Sequence, residues 1–554
     1  MKTNAKKRAA SLPPFPIKAG LCIALGLLLG QTASAYQLDA GPDWNISLDS
    51  TIQYTLGARA QSIDPGIGNN PAFAEGDYKF PNSGDVNTNR LDGIFSLTGT
   101  YRSRMGFRFS GEIWKDFAYD ANVNTAPAFA GNPAFSTYVN NTYSAYTKRY
   151  YIQGVQGLDA FVFDNTSINN IPVYLKVGRF ATDWGTAMLF GFSNIAYSQS
   201  GIDYGKAFAQ PGTQLDALYL PRAQLLGTVA VSPDLSLTGQ YFLEHVANRY
   251  PEGGTYLSVG DFAYNGPQLT GLGLGGTAGT QVLPKNNNGN FGVKAKWSPD
   301  WAEGDIGFYY RVLDEAHPWL LLDPAAMAAG KVQVDQQYAQ KVKLYGMSYE
   351  HTIGNLSTGY ELSYRQGTAL NSTALAVSEQ GAKGDIVNVI ANVFDQLGPS
   401  RFWDTGMLIA EASYTHLVRV TDNANLYQGL GQNGCTNKWA GCATNNSLAL
   451  GVVFEPQWLQ IRPGWDLGLP ISYTYGVYGN PAYAASAFYA QGTSIYSVGV
   501  SGTYEGRTSV TLQYNGYHWH TLAAATGGGV YPGGNGPYNL NDKGWVELTV
   551  KTSF

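Results

Sequence analysis

Side chains able to do chemistry are few in this chain, and their spacing suits none of the common mechanisms. The six histidines are His245, His317, His351, His416, His518 and His520. None stands in a Ser–His or His-x-x-x-Glu context, so neither a nucleophile–base couple nor a helical metal motif can be read. The HWH stretch at 518–520 puts two imidazoles on one strand face, where a surface metal or an interfacial aromatic belt are the two options. Cys435 and Cys442 lie seven residues apart in NGCTNKWAGC, a polar, Gly-rich segment. With no His or carboxylate beside them they read as a disulfide staple in an oxidising compartment, the metal site being the alternative. No metal, no cofactor and no enzymatic activity are expected.

Alternation, rather than chemistry, organises the chain. The final stretch, WVELTVKTSF (545–554), sets Val546, Leu548, Val550, Thr552 and Phe554 on one face and Glu547 and Lys551 on the other. The first 35 residues contain Lys2, Lys6, Lys7, Arg8 and Lys18, then an apolar run from Ala19 to Gly30, then Ala33-Ser34-Ala35. That is a secretory signal peptide, expected to be cleaved before Tyr36. The run is too short to span a bilayer, and most of it follows Cys22, which argues against a lipoprotein anchor. Without the leader, 30 basic residues face 40 acidic ones, a net charge of −10, and no basic run suggests nucleic acid.

Composition narrows the class further. The chain has 67 Gly, 38 Tyr and 12 Trp but only 14% charged residues, against about 25% in typical soluble domains. Segments of about ten residues alternate apolar with polar, the signature of a transmembrane β-barrel. Strand-like segments begin at 46–58, 92–102 and 105–117 and continue to the terminal one, giving about 18 strands, with 16 as the alternative. Long and short connections also alternate: 59–90, 118–157, 181–213, 245–290 and 313–340 against RS (103–104), SPD (232–234) and EG (505–506). The expected fold is therefore a single all-β, antiparallel transmembrane barrel over 36–554, in the outer membrane of a Gram-negative bacterium, in contact with outer-membrane lipid. Phe554, behind its alternating apolar residues, is similar to the signal read by the barrel-assembly machinery, although Thr552 departs from the usual bulky apolar residue.

A barrel of that size encloses an aqueous channel unless something fills it. The best filler is the connection 181–213, with Trp184, Phe190, Phe192, Tyr204 and several other apolar residues. Such a segment should fold somewhere dry, and the lumen is the nearest such place. Arg179 and Asp183 flank its start, where they could hold it or touch cargo. Glu361 with Arg365, and Glu411 with Arg419, are expected to face the lumen and pair across the wall. Two more apolar connections, 265–284 and 316–331, are expected to form either a lid or a brace, with Asp323 and Pro324 starting a short helix.

The run LDAFVF…PVYLKVGRFATDWG…PGTQLDALYLPRAQLLGTVAVSPDLSLTGQYF, with the hairpin DGIFSLTGTYRSRMGFRFSGEIWKDF, resembles a proteobacterial outer-membrane family, domain of unknown function thirteen-oh-two. The likeness covers roughly residues 85–265. Within its GRF…DWG element, relatives carry Gln and Glu where this chain has Phe180 and Thr186. The resemblance implies partners, namely a periplasmic lipid-carrier-like protein and an inner-membrane pump, and a cargo of steroid-like or other lipids. The reading that follows is an outer-membrane channel or receptor for hydrophobic small molecules. The alternative is a general or weakly ion-selective diffusion porin; a lipid-modifying enzyme stands third.

Overall fold

Along the last strand, Val546 and Leu548 are 40% and 38% exposed while Trp545 and Glu547 are buried, so period-two alternation sorts side chains between an apolar outer face and an inner one. The computed structural model, which describes residues 36–209, 218–273, 275–284, 289–524 and 529–554, repeats this pattern in eighteen antiparallel strands. The leader and residues 210–213 of the apolar connection lie outside the described residues. The first nine strands are β1 (Trp44–Arg59), β2 (Val86–Tyr101), β3 (Met105–Asp116), β4 (Gln153–Ile168), β5 (Ile171–Phe180), β6 (Arg222–Ala230), β7 (Leu235–Phe242), β8 (Phe291–Trp297) and β9 (Gly304–Leu313). The next five are β10 (Val342–Ile353), β11 (Leu356–Ala369), β12 (Lys383–Leu397), β13 (Thr405–Asp422) and β14 (Asn446–Arg462). β15 runs in two pieces, Trp465–Gly468 and Ile471–Tyr478, broken at Leu469-Pro470 because proline has no N–H for the ladder. β16 (Ser494–Tyr504), β17 (Thr508–His518) and β18 (Trp545–Ser553) complete the set.

The sheet closes on itself. β18 pairs with β1 from Thr51↔Ser553 to Arg59↔Trp545, and the Phe554 N–H donates to the Ser50 carbonyl at 2.8 Å. Tyr36–Leu38 folds back along Ile46–Leu48, the part of β1 that β18 does not reach. Closure leaves no unpaired edge, and the outer face is studded with exposed Leu91, Phe95, Ile113, Leu175 and Leu512. That combination is what a hydrocarbon solvent requires of a spanning sheet. Among the described residues no helix is long and apolar enough to cross a membrane.

One end of the barrel carries tight turns, such as Asn169-Asn170 between β4 and β5, where both residues take the positive φ of a two-residue hairpin. The other end carries the long connections, and these pack on one another as a cap. Tyr138, Tyr143, Tyr256, Tyr427 and Trp519, all in connections, are at most 2% exposed. Thr277–Gln281 pairs with Gln333–Gln337, which pairs with Trp319–Leu322, so the two apolar connections brace each other. Asp323 caps the short helix Pro324–Ala328. Cys435 and Cys442 are bonded, with Cα atoms 5.7 Å apart. Beneath the cap, Asp77 lies 3.4 Å from the Lys543 ammonium and 3.7 Å from the Arg59 guanidinium, all fully buried. Burial raises the Asp77 carboxyl to about 7.

Candidate functional site

The connection between β5 and β6 turns into the barrel instead of away from it. Its backbone leaves the sheet after Phe180, so its N–H groups must find new acceptors. Two inward-facing carboxylates of the wall supply them. Glu361 on β11 accepts from the amides of Thr186, Ala187 (2.8 Å) and Ile195 (2.8 Å). Glu411 on β13 accepts from Met188 (2.6 Å), Leu189 (2.9 Å) and Phe190 (2.8 Å). On β9, Arg311 donates to the carbonyls of Ile195 (2.7 Å) and Tyr197 (2.9 Å), and Asn392 on β12 donates to that of Thr186 (3.0 Å). All but the Asn392 bond join an ionisable side chain on a fixed strand to the loop's backbone, the stronger class of hydrogen bond when that side chain is charged. Further along, Lys206 pairs with Glu112 on β3. The loop is thus moored to strands lying on well-separated parts of the wall, and its path crosses the lumen.

The wall is shaped to receive it. A Cβ at Gly451 would lie 2.8 Å from Leu189, one at Gly359 2.9 Å from Thr186, one at Gly346 2.9 Å from Ile195 and one at Gly292 2.8 Å from Trp184. All four glycines face inward, so the missing side chains are what lets the loop sit close. Phe190, Phe192 and Ile195 are at most 3% exposed, each worth about 1.5–3 kcal/mol of burial. Phe190 packs edge-on against Tyr489 at 4.9 Å, and Trp184 tilts against Tyr309 at 6.1 Å. Phe192 stacks on Tyr204, which stacks on Tyr250, at 5.4 and 5.2 Å, joining the loop to the cap.

The remaining charged residues are arranged differently from the sequence expectation. Arg179 lies on the outward face with Leu175 and Val177, pairs with Glu244 at 2.8 Å and donates to the Pro221 carbonyl at 2.9 Å. Asp183 accepts from the Tyr219 hydroxyl at 3.3 Å. The structure does not bring Arg179 and Asp183 together. Nor do Glu361 and Glu411 pair with Arg365 and Arg419. Residues four and eight apart on one strand are about 13 and 26 Å apart, too far for an ion pair. Instead Arg419 pairs with Asp385 at 2.7 Å, and Arg365 lies 4.1 Å over the Tyr197 ring. Tyr197 itself donates to Glu315 at 2.8 Å, whose carboxyl is raised by burial. The role of Glu361 and Glu411 as acceptors for loop amides is the feature missed by sequence reasoning, because it joins residues 166 to 223 positions apart. Among the described residues no cluster of three or more His, Cys, Asp or Glu is placed to hold a metal.

A moored, apolar loop in a closed barrel is a constriction. The family described as "Protein of unknown function (DUF1302)" matches residues 17–554. The chain belongs to this family. A comparison with curated proteins gives no match. Among solved structures, OccAB2 of Acinetobacter baumannii is similar, with 10% identity, 92% of this chain and 98% of that one covered, and a TM-score of 0.41. The outer membrane protein OpdK of Pseudomonas aeruginosa gives 9% identity, 92% and 98% coverage and a TM-score of 0.41. OprB of Pseudomonas putida gives 12%, 92%, 94% and 0.36. At these scores the likeness carries no argument about this DUF1302 chain, whose fold rests on its own strand pairings.

Proposed function

We propose that the protein is an outer-membrane channel for small molecules with substantial apolar surface, its passage set by the loop seated across the lumen. The observation that carries this reading is the mooring itself. Six amides of one loop are held by two carboxylates of the wall, over glycines that admit the loop's side chains. A channel for ions and sugars has no use for Trp184, Phe190, Phe192 and Ile195 packed into its path. The short-turn end is where a periplasmic carrier would meet the cargo. No histidine nitrogen bonds a Ser or Thr hydroxyl among the described residues, which supports a conduit over a lipid-modifying enzyme.

A general diffusion porin is the second reading, favoured by the polar inward face of β15 to β18, where Ser472 and Ser497 bond at 2.8 Å and Thr511 and Gln513 also point in. Planar-bilayer conductance separates the two. The intact protein should conduct poorly, and deleting Ala187 to Phe208 should open a large, steady conductance while the strands stay paired. An intact protein that already conducts as an open pore, with the loop cleaved by protease added outside, would reject the proposal in favour of the porin.

A further inference from the structure

The inward surface of β4 and β5 carries aromatic rings that remain half-buried. On β4, Val162 points out, 50% exposed, while Phe161 and Phe163 point in and are half-buried. Strand register places Phe163 beside Lys176 and Asn165 beside Tyr174, both on β5. It then carries a single inward row from Tyr174 through Thr228 and Thr238 to Lys294. That row spans three strand spacings, roughly 14 Å. Phe161 and Phe163 have centroids 6.4 Å apart, and Phe163 and Tyr174 are 6.2 Å apart. The Lys176 ammonium sits 3.6 Å from the Phe161 centroid and 4.1 Å from that of Phe180. The Thr228 and Thr238 hydroxyls bond at 3.0 Å.

We infer that this patch binds amphipathic anions: an apolar ring system packs between the tilted rings of Phe163 and Tyr174, and its carboxylate or other anionic group meets Lys176, which Phe161 supports from below, or Lys294. The half-buried rings retain apolar area that a ring-bearing ligand would cover, and the ammonium groups near them select the sign of its charge. The inference rests on the reading of the barrel as a passage and names the class of cargo.

Equilibrium dialysis of the full-length protein in detergent, with detergent alone as the blank, tests it with 2-naphthoate, 2-naphthol and 2-naphthylmethylammonium. Naphthoate should be retained at least tenfold more tightly than the other two. Lys176→Gln, or Lys294→Gln should the first variant fail to fold, should weaken naphthoate about tenfold and leave naphthol unchanged. Phe161→Ala with Phe163→Ala should weaken both. Equal retention of the three probes, retention no greater than the blank, or a folded Lys176→Gln/Lys294→Gln double variant that holds naphthoate as before would overturn the inference. Bilayer conductance on the same preparations keeps the two ideas apart. A gated channel without naphthoate selectivity removes the patch alone, whereas an ungated pore that still selects naphthoate removes the loop-gated passage alone.

Discussion

Replacing Glu411 by alanine removes the acceptor for three consecutive loop amides, those of Met188, Leu189 and Phe190. Met188 and Leu189 are half-buried, so water can replace part of what they lose, at about 0.5–1.5 kcal/mol each. The Phe190 amide belongs to a residue only 1% exposed, and leaving it without an acceptor costs about 1–3 kcal/mol. Together the loop should be released by about 2–6 kcal/mol, a factor of roughly 30 to 10⁴ in its seated-to-unseated ratio. Glu411→Gln, which keeps one oxygen acceptor, should fall between the parent and alanine. Single-channel recording in planar bilayers reads the effect as long-lived high-conductance states, and protease added on the cap side should then cut within 187–208. Heat-modifiable gel migration confirms that the barrel remains closed. A Glu361→Ala/Glu411→Ala double variant that stays folded, conducts no more than the parent and keeps the loop protected would refute the mooring argument.

Gly451→Val should also unseat the loop, because its first added carbon would lie 2.8 Å from Leu189; overpacking of this kind costs about 1–3 kcal/mol, and raised open probability with unchanged barrel stability is the expected record. The cap should loosen as pH rises. Burial lifts Glu252 and Asp261 to about 8 and Glu75 and Asp77 to about 7, from ordinary values of 3.8 to 4.5, so the stability their neutral forms contribute is fully present in acid, declines above those ordinary values and is gone once pH passes 8. His245 and His317, lowered to about 4 by burial, act oppositely: their contribution is lost as pH falls from 6.5 toward 4. The four carboxyls outweigh the two imidazoles, so protection factors of the 243–290 connection against hydrogen exchange should fall as pH rises from 5 to 8, with the strands insensitive; flat protection across that range would contradict this. Cys435 and Cys442 should resist maleimide until reduced, and ready labelling of the untreated protein would show that the staple is not formed.

The strands were legible because a hydrocarbon solvent enforces a simple rule on every one of them. Side chains must alternate, and residues such as Leu91, Phe95, Leu175 and Leu512 obey it. The rule stops at the edge of the apolar band, so alternation marks the middle of a strand and not its ends. β4 runs from Gln153 to Ile168 and β14 from Asn446 to Arg462, well past the alternating cores at 159–163 and 448–454. Backbone pairing continues there on hydrogen bonds alone, through residues such as Gln156, Gln457 and Arg462 whose side chains carry no signal of it. A brace between the two apolar connections was one of the two options the sequence offered, but its pairing of 277–281 with 333–337 was not readable, because it is a parallel pairing between different connections and no local pattern encodes it.

The site was half legible. An apolar loop with Trp184, Phe190 and Phe192 in a chain of alternating strands has to be buried, and burial alone pointed it into the lumen. What holds it there was not readable. A carboxylate on a strand looks the same in sequence whether it faces an arginine, water or a row of amides, and the i,i+4 spacing of Glu361 and Arg365 suggested a pair that extended geometry forbids. The wall patch left a trace that could have been used. In LDAFVF and VYLKVGRF, Phe161 and Phe163 alternate with Val162, and Tyr174 with Leu175, so both faces are apolar or aromatic. Elsewhere on the inner face, apolar residues such as Ile390, Met407 and Ile409 pack against Met188, Leu189 and Phe190 of the seated loop, which accounts for them. Phe161, Phe163 and Tyr174 stay half-buried on the inner face while Val162 and Leu175 meet lipid on the outer one, and it is this two-sided apolar alternation, legible in the sequence, that the proposed binding patch would explain.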